Sequence, residues 1–234
     1  MSDYSWFSRT WFMEQDWTDL LFMNWPVPRD ILLPLIPPSF TLDEYQGTAW
    51  ISLIPFHVSN TRIKGCPVIP GFNAFDELNI RTYVTYEGIK GVYFLKINAN
   101  HPLMARFVHT MFGLPYFSAS IRSQQNGLSN RFVSRSSKGL DHFAVHYSVV
   151  SPPLQAEPGS LIYWLTERYC LWLTHDRMIY KGPIYHQSWK LQKARIDHHF
   201  YKSDLLPDAI FSKQPIAYYS DHQHAHSFPL TKQI

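Results

Sequence analysis

The stretch ELNIRTYVTYEGIKGVYFLKINA, Glu77 to Ala99, decides the fold class. In its first half a period of two puts Glu77, Asn79, Arg81 and Tyr83 on one face, with Leu78, Ile80, Thr82 and Val84 on the other. Its second half, Gly91 to Ala99, is rich in β-branched and aromatic residues, and the EGIKG between the halves reads as a hairpin connection. Two antiparallel strands are expected, Glu77–Tyr86 and Gly91–Ala99.

The same pattern recurs on both sides. AWISLIPFHV (Ala49–Val58) reads as a strand before the hairpin; FSASIRS, NRFVSRS, HFAVHYSVV and SLIYWLTERYCLWL read as further short strands after it. Trp189–Phe200 is assigned as strand over helix. Two helices interrupt the series. One is a short element within Pro26–Phe40, with Pro28 near its start and the Pro37-Pro38 pair closing it. The other is HPLMARFVHTMFG, His101 to Gly113, where Pro102 opens the helix and Gly113 suits a left-handed cap. There is no internal repeat, low-complexity tract or Gly/Ser linker, so one domain spanning 1–234 is expected.

Composition agrees with a packed, strand-rich chain: 45% of the 234 residues are hydrophobic, 16% aromatic and only 17% charged. The 21 basic and 18 acidic residues are scattered, with no cationic run able to neutralise successive phosphates, so a nucleic-acid partner is not expected. The start, MSDYSWFSRTWFMEQDW, mixes acids with aromatics, and no apolar stretch approaches about 18 residues. A cytoplasmic protein without a membrane partner is the expectation. Cys66 and Cys170 are too few for a disulfide framework, which fits a reducing compartment.

Candidate chemistry centres on ELNIRTYV. On a solvated face its polar residues are an ordinary antiparallel strand surface. If the sheet curls, they point into a cavity, where an isolated charge is costly and must pair or hold a ligand. Glu77 would then act as acid or base and Arg81 as a carboxylate anchor, with Asn79 and Tyr83 beside them. Glu167 and Arg168 are charges inside the aromatic SLIYWLTERYCLWL; strand alternation lets only one share the cavity, and Glu167 is the candidate. Alternatively Glu77, Arg81, Glu167 and Arg168 form a structural ion network. Lys96, in the apolar VYFLKINA, suits either a Schiff base or a snorkelling surface lysine.

His222, His224 and His226 share one side of DHQHAHSF at a spacing that can grip a metal through two imidazoles. With no further ligand identifiable, no metal and no cofactor are assigned. Nucleophile-elbow, P-loop, zinc-peptidase and dinucleotide motifs do not occur.

Taken in order, NWPVPRDILLPLIPPSFTLDEYQGTAWISLIPF, GCPVIPGFNAFDELNIRTYV, GVYFLKINA, GLPYFSA, PGSLIYWLTERYCLW and IYHQSWKLQKA resemble the YqjF-type family of uncharacterised bacterial proteins. That family is grouped with the acetoacetate decarboxylase-like fold. The resemblance implies a mainly β, α+β architecture: a curled antiparallel sheet forming a cone or barrel around an internal cavity, with a few short helices.

It also implies site residues. FDE, Phe75 to Glu77, is similar to the segment that carries an active-site acid in the decarboxylases. Their lysine pair, one member of which forms a Schiff base, falls on Tyr116 and Phe117 of GLPYF, neither of which has an amine. Their N-terminal arginine has no counterpart, its approximate place being near Thr18. What remains is a cavity lined by Glu77, Arg81, Tyr116, Arg122 and Glu167, suited to a small polar or anionic organic ligand. A lyase, hydratase or isomerase acting on a keto or enol acid, with Glu77 moving the proton, is the competing expectation. The decarboxylases assemble into oligomers, and the resemblance implies a homo-oligomer here.

Overall fold

The computed structural model describes residues 10–67, 73–126, 129–137 and 141–233. The hairpin read from the sequence forms β4 (Phe75–Tyr86) and β5 (Ile89–Ala99), paired antiparallel from Tyr86 opposite Ile89 to Glu77 opposite Ala99. Glu87 and Gly88 both take positive φ (49° and 77°) in the two-residue turn. That backbone twist matches the flanking strands.

Before the hairpin come β1 (Met13–Val27), the short helix α1 (Arg29–Leu32) with a 3₁₀ turn at Leu33–Leu35, β2 (Thr41–Leu42) and β3 (Ala49–Ile63). After it come α2 (Pro102–Phe112), β6 (Tyr116–Asn126), β7 (Ser129–Ser136), β8 (His142–Val149) and α3 (Leu161–Thr166). The chain ends with β9 (Cys170–His175), β10 (Met178–His186), β11 (Gln192–Lys202), β12 (Ile216–Ser227) and β13 (Thr231–Lys232).

All 13 strands belong to one sheet, but not to a curled antiparallel barrel or cone. The sheet is mixed and branched. Strand β5 pairs antiparallel with β4 and parallel with both β6 and β9, while β12 has β1, β10 and β11 as neighbours. The parallel β5–β6 pairing is short, Ile97–Ala99 beside Tyr116–Ser118, and follows α2, which lets β6 set out in the direction of β5 where a tight turn would reverse the chain. The interior of the fold holds packed side chains, including fully buried Trp25, Trp172, Leu21, Leu53 and Ile80. Two concavities among the described residues are surface grooves. One, of about 290 Å³, is lined by Pro26–Arg29 and Gly47–Ala49. The other, of about 360 Å³, lies over β7, β8 and β11.

Leu20–Trp25 of β1, Ala49–Phe56 of β3 and most of β4 are covered on both faces. On β4, Leu78, Ile80 and Val84 enter the largest apolar cluster with Leu21, Met23, Ile51 and Leu53. On the opposite face Phe75 joins a second cluster with Leu20, Phe22, Phe56 and Trp189, and Tyr83 joins a third with Trp50, Leu165 and Leu171. Each such side chain contributes about 1.5–3 kcal/mol by leaving water. Glu77, Asn79 and Arg81 therefore sit between two apolar clusters, on the face that alternation alone would leave solvated.

Two further departures from the sequence reading bear on the site. SLIYWLTERYCLWL is not one strand: Ser160 accepts from the Tyr163 amide (3.3 Å) and caps α3, Glu167–Tyr169 form a break, and only Cys170 onward is strand. The capping serine outweighs the β-propensity of the aromatics. DHQHAHSF lies, through Ser227, within β12, paired along β1 and, at Ala225–Ser227, with β10. By contrast α2 forms as read, with the His101 Nδ1 accepting from the Met104 amide (3.1 Å) and Gly113 at φ 68°. No helix among the described residues is long and apolar enough to cross a membrane.

Candidate functional site

Glu77 is only 4% exposed. It lies directly opposite Phe56 on β3 and Ala99 on β5. The Tyr116 hydroxyl, delivered by the first residue of β6, donates to Glu77 Oε2 at 2.9 Å. Burial pushes the Glu77 carboxyl up to about 7, against the lowering effect of hydrogen bonds from Tyr116 and Asn79. Near neutrality this acid is divided between its protonated and ionised forms. Burial likewise pushes the Tyr116 phenol well above its ordinary value, and the neighbouring carboxylate adds to the shift.

Two residues along the same face, Asn79 is buried and its Oδ1 has no hydrogen-bond partner among the described residues. Next comes Arg81. One Nη donates to the Leu165 carbonyl (3.2 Å), and the guanidinium lies 6.0 Å from the Phe22 ring centre and 5.7 Å from that of Tyr83. Its Nε is buried without a partner. An unsatisfied buried donor and acceptor side by side are uncommon in folded proteins and require an explanation.

Tyr83 belongs to the scaffold. It is fully buried, and its hydroxyl donates to the Leu165 carbonyl and meets Ser52, which in turn donates to Asn24. Glu167 lies in the break after α3, where its Oε1 accepts from the Trp189 amide (3.0 Å) and its Oε2 from the Tyr169 hydroxyl. Glu167 is half-buried and Arg168 buried: Arg168 donates to Asp43 (2.7 Å) and the Trp164 carbonyl (2.6 Å) and stacks over Trp164 and Tyr83. Because Glu167 and Arg168 occupy a break rather than a strand, alternation does not separate them, and both are turned into the fold.

Arg122 stands apart, exposed on β6 six residues beyond Tyr116 and roughly 20 Å along the strand. Phe117 is also exposed. Lys96 is held by Asp141 (2.6 Å) and Asp204 (3.3 Å) and lies over Phe117. Among the described residues no lysine is bonded to Glu77 or Tyr116.

His186, at the end of β10, is the titratable group that the sequence did not single out. It is 3% exposed, its Nδ1 meets the Gln187 carbonyl (2.8 Å), and its ring stacks on Tyr169 and packs against Trp189. Burial is the main cause pushing it down to about 4, and the nearby Arg81 charge adds to the fall. A histidine within the aromatic-rich YHQSW is the only sequence signal for it. Asp43, the partner of Arg168, had none, since nothing in TLDEY forecasts that β2 docks beside Val84.

Residues 14–224 match the family DUF2071, described as an uncharacterized conserved protein. The chain belongs to this family. It is 41% identical over 227 residues to the uncharacterized protein YqjF of Bacillus subtilis (strain 168), covering 95% of this chain and 93% of that one. Among solved structures it is similar to an acetoacetate decarboxylase-like enzyme from Sphingomonas wittichii RW1, with a TM-score of 0.67 at 10% identity over 96% of this chain and 94% of the other. It is also similar to the enduracididine biosynthesis enzyme MppR complexed with pyruvate, with a TM-score of 0.65 at 10% identity over 96% and 91% of the two chains. At this identity the likeness to solved structures establishes a shared acetoacetate decarboxylase-like fold.

Proposed function

We propose that this DUF2071 member binds a small carboxylate, of keto- or enol-acid size, against the polar row of β4. The observation that carries the reading is that the row lies inside the fold yet is incompletely paired: among the described residues the buried atoms Arg81 Nε and Asn79 Oδ1 lack partners, while burial holds Glu77 up at about 7. An anionic ligand would accept from Arg81, and a ligand hydroxyl would donate to Asn79. MppR, which shares the fold, was seen with pyruvate, a molecule of this class.

A catalytic role for the same row rests on a second observation. Glu77 is pushed up and His186 down, both by burial, so an acid and a neutral base coexist near pH 7. In that role Glu77 moves the proton of an enolisable acid and Tyr116 or Arg81 stabilises the oxygen that gains charge. Schiff-base chemistry is not included, because Tyr116 and Phe117 carry no amine and Lys96 is committed to Asp141.

Calorimetric titration with pyruvate and a panel of small 2- and 3-keto acids tests both readings. Arg81→Ala is expected to weaken binding at least tenfold; unchanged affinity would remove the anchor. Glu77→Gln is expected to preserve binding, and if a member of the panel is turned over, to abolish that turnover.

A further inference from the structure

The outer face of the β1–β12 pair carries a second cluster, remote in chemistry from the β4 row. Cross-strand pairing places Glu14 opposite His226, Asp16 opposite His224 and Thr18 opposite His222. One ligand atom each from Glu14, His224 and His226 lies within 4.8 Å of the others. We propose that these three residues bind a divalent first-row transition metal ion of the zinc class, with a fourth position left to water.

The geometry supports this in three ways. Glu14 Oε2 lies 3.7 Å from His226 Nε2, too far for a hydrogen bond. Two ligands at about 2.0–2.1 Å from a tetrahedral zinc are separated by roughly 3.3–3.4 Å, so the gap requires only a small contraction. The other carboxylate oxygen, Oε1, is fixed by the Arg62 Nε and Nη2 at 2.7 and 2.6 Å, which orients Glu14 and leaves Oε2 turned toward the histidine.

Asp16 completes the arrangement. It meets His224 Nδ1 at 2.7 Å and His222 Nε2 at 3.2 Å, and it is itself bonded by Asn60 at 2.7 Å. A carboxylate on Nδ1 sets the tautomer that leaves Nε2 as the lone-pair nitrogen, which is the outer-shell contact typical of metal-binding imidazoles. Two imidazoles and one carboxylate suit zinc, cobalt(II) or nickel(II) and not the hard oxygen-preferring ions. Arg62, bonded to Glu14, and Lys64, with it over the Trp11 ring that packs beside His226, bring positive charge near the cluster and lower its affinity below that of a site without them.

Tag-free protein, stripped with a chelator, should take up zinc at one equivalent with a Kd of about 10 µM or tighter in competition with a chromophoric chelator. Glu14→Gln and His226→Ala should each weaken binding at least tenfold, whereas His146→Ala, on the separate β7–β8–β11 face, should leave it unchanged. Cobalt(II) should give the intense visible absorption of a four-coordinate ion, lost in the same two variants. Far-UV circular dichroism of the metal-free variants checks that they fold. Equal affinity in parent, Glu14→Gln and His226→Ala, or weak uptake at several equivalents, would overturn the proposal.

Discussion

Strands β4 and β12 are written in the same grammar and meet opposite fates. ELNIRTY and DHQHAHS both alternate, each with ionisable or amide side chains at every second position. On β4 the polar row lies between two apolar clusters, with Glu77 and Asn79 buried and Arg81 half-buried; on β12 His222 and His224 face water above Asp16. Alternation determines which side chains travel together, and the elements packed on top determine whether their charges keep water. Burial turns the β4 row into a set of perturbed, partly unpaired groups, and exposure leaves the β12 row as a ladder of histidine–carboxylate contacts.

The largest effect should come from the buried side. Arg168→Met leaves the Asp43 carboxylate, 8% exposed, with the 3.4 Å contact to Lys90 as its one ion pair among the described residues. A loss of about 3 kcal/mol or more in urea unfolding is expected, and a loss below about 1 kcal/mol would show that the pair is as weak as a surface one.

Next is the pH dependence that the β4 row imposes. Because burial raises the folded Glu77 value from 4.5 to about 7, the folded state binds its proton more tightly than the unfolded chain. Its contribution is present in full below pH 4.5 and is lost as pH rises through 7, a change of roughly 3 kcal/mol. Glu77→Gln should therefore gain stability over the parent at pH 8 and little at pH 5. His186 has the opposite sign: its folded value falls from 6.5 to about 4, so its contribution is present above 6.5 and lost as pH falls toward 4. Replacing Glu77 should thus leave an acid-side loss and remove an alkaline-side one, as unfolding measured from pH 4 to 8 would reveal.

Tyr116→Phe removes the one hydroxyl that favours the Glu77 carboxylate. It should cost about 1 kcal/mol and move the Glu77 titration above 7, observable by carboxyl infrared or NMR titration. The smallest effect belongs to the β12 side. Arg62→Ala breaks an ion pair with one partner half exposed and should cost less than about 1 kcal/mol, declining with added salt.

What could be read from the sequence follows this division. The β4–β5 hairpin, the α2 helix and the shared face of Glu77, Asn79 and Arg81 depend on turn residues, caps and period, all of which are local. The parallel β5–β6 pairing depends on where a crossover delivers the chain, and the resemblance to antiparallel cones obscured what the α2 helix between two strands already implied. Asp43 beneath Arg168, Glu14 beside His226 and His186 beside Tyr169 arise from contacts between segments far apart in sequence. No single stretch encodes such meetings. The placement of Glu167 failed for a smaller reason: Ser160 starts a helix within an aromatic run whose composition favours strand.

The seam between β1 and β12 has a consequence for biosynthesis. Met13 pairs with Ser227, so the first strand of the sheet is completed by one that is translated about 200 residues later. At a synthesis rate of roughly 5–20 residues per second, β1 waits on the order of 10–40 seconds at the ribosome with that edge unpaired. An exposed strand edge templates wrong partners, so the nascent chain is most vulnerable to aggregation before β12 emerges. Expression conditions that slow elongation should lower the soluble yield, and chaperones that shield β edges should restore it.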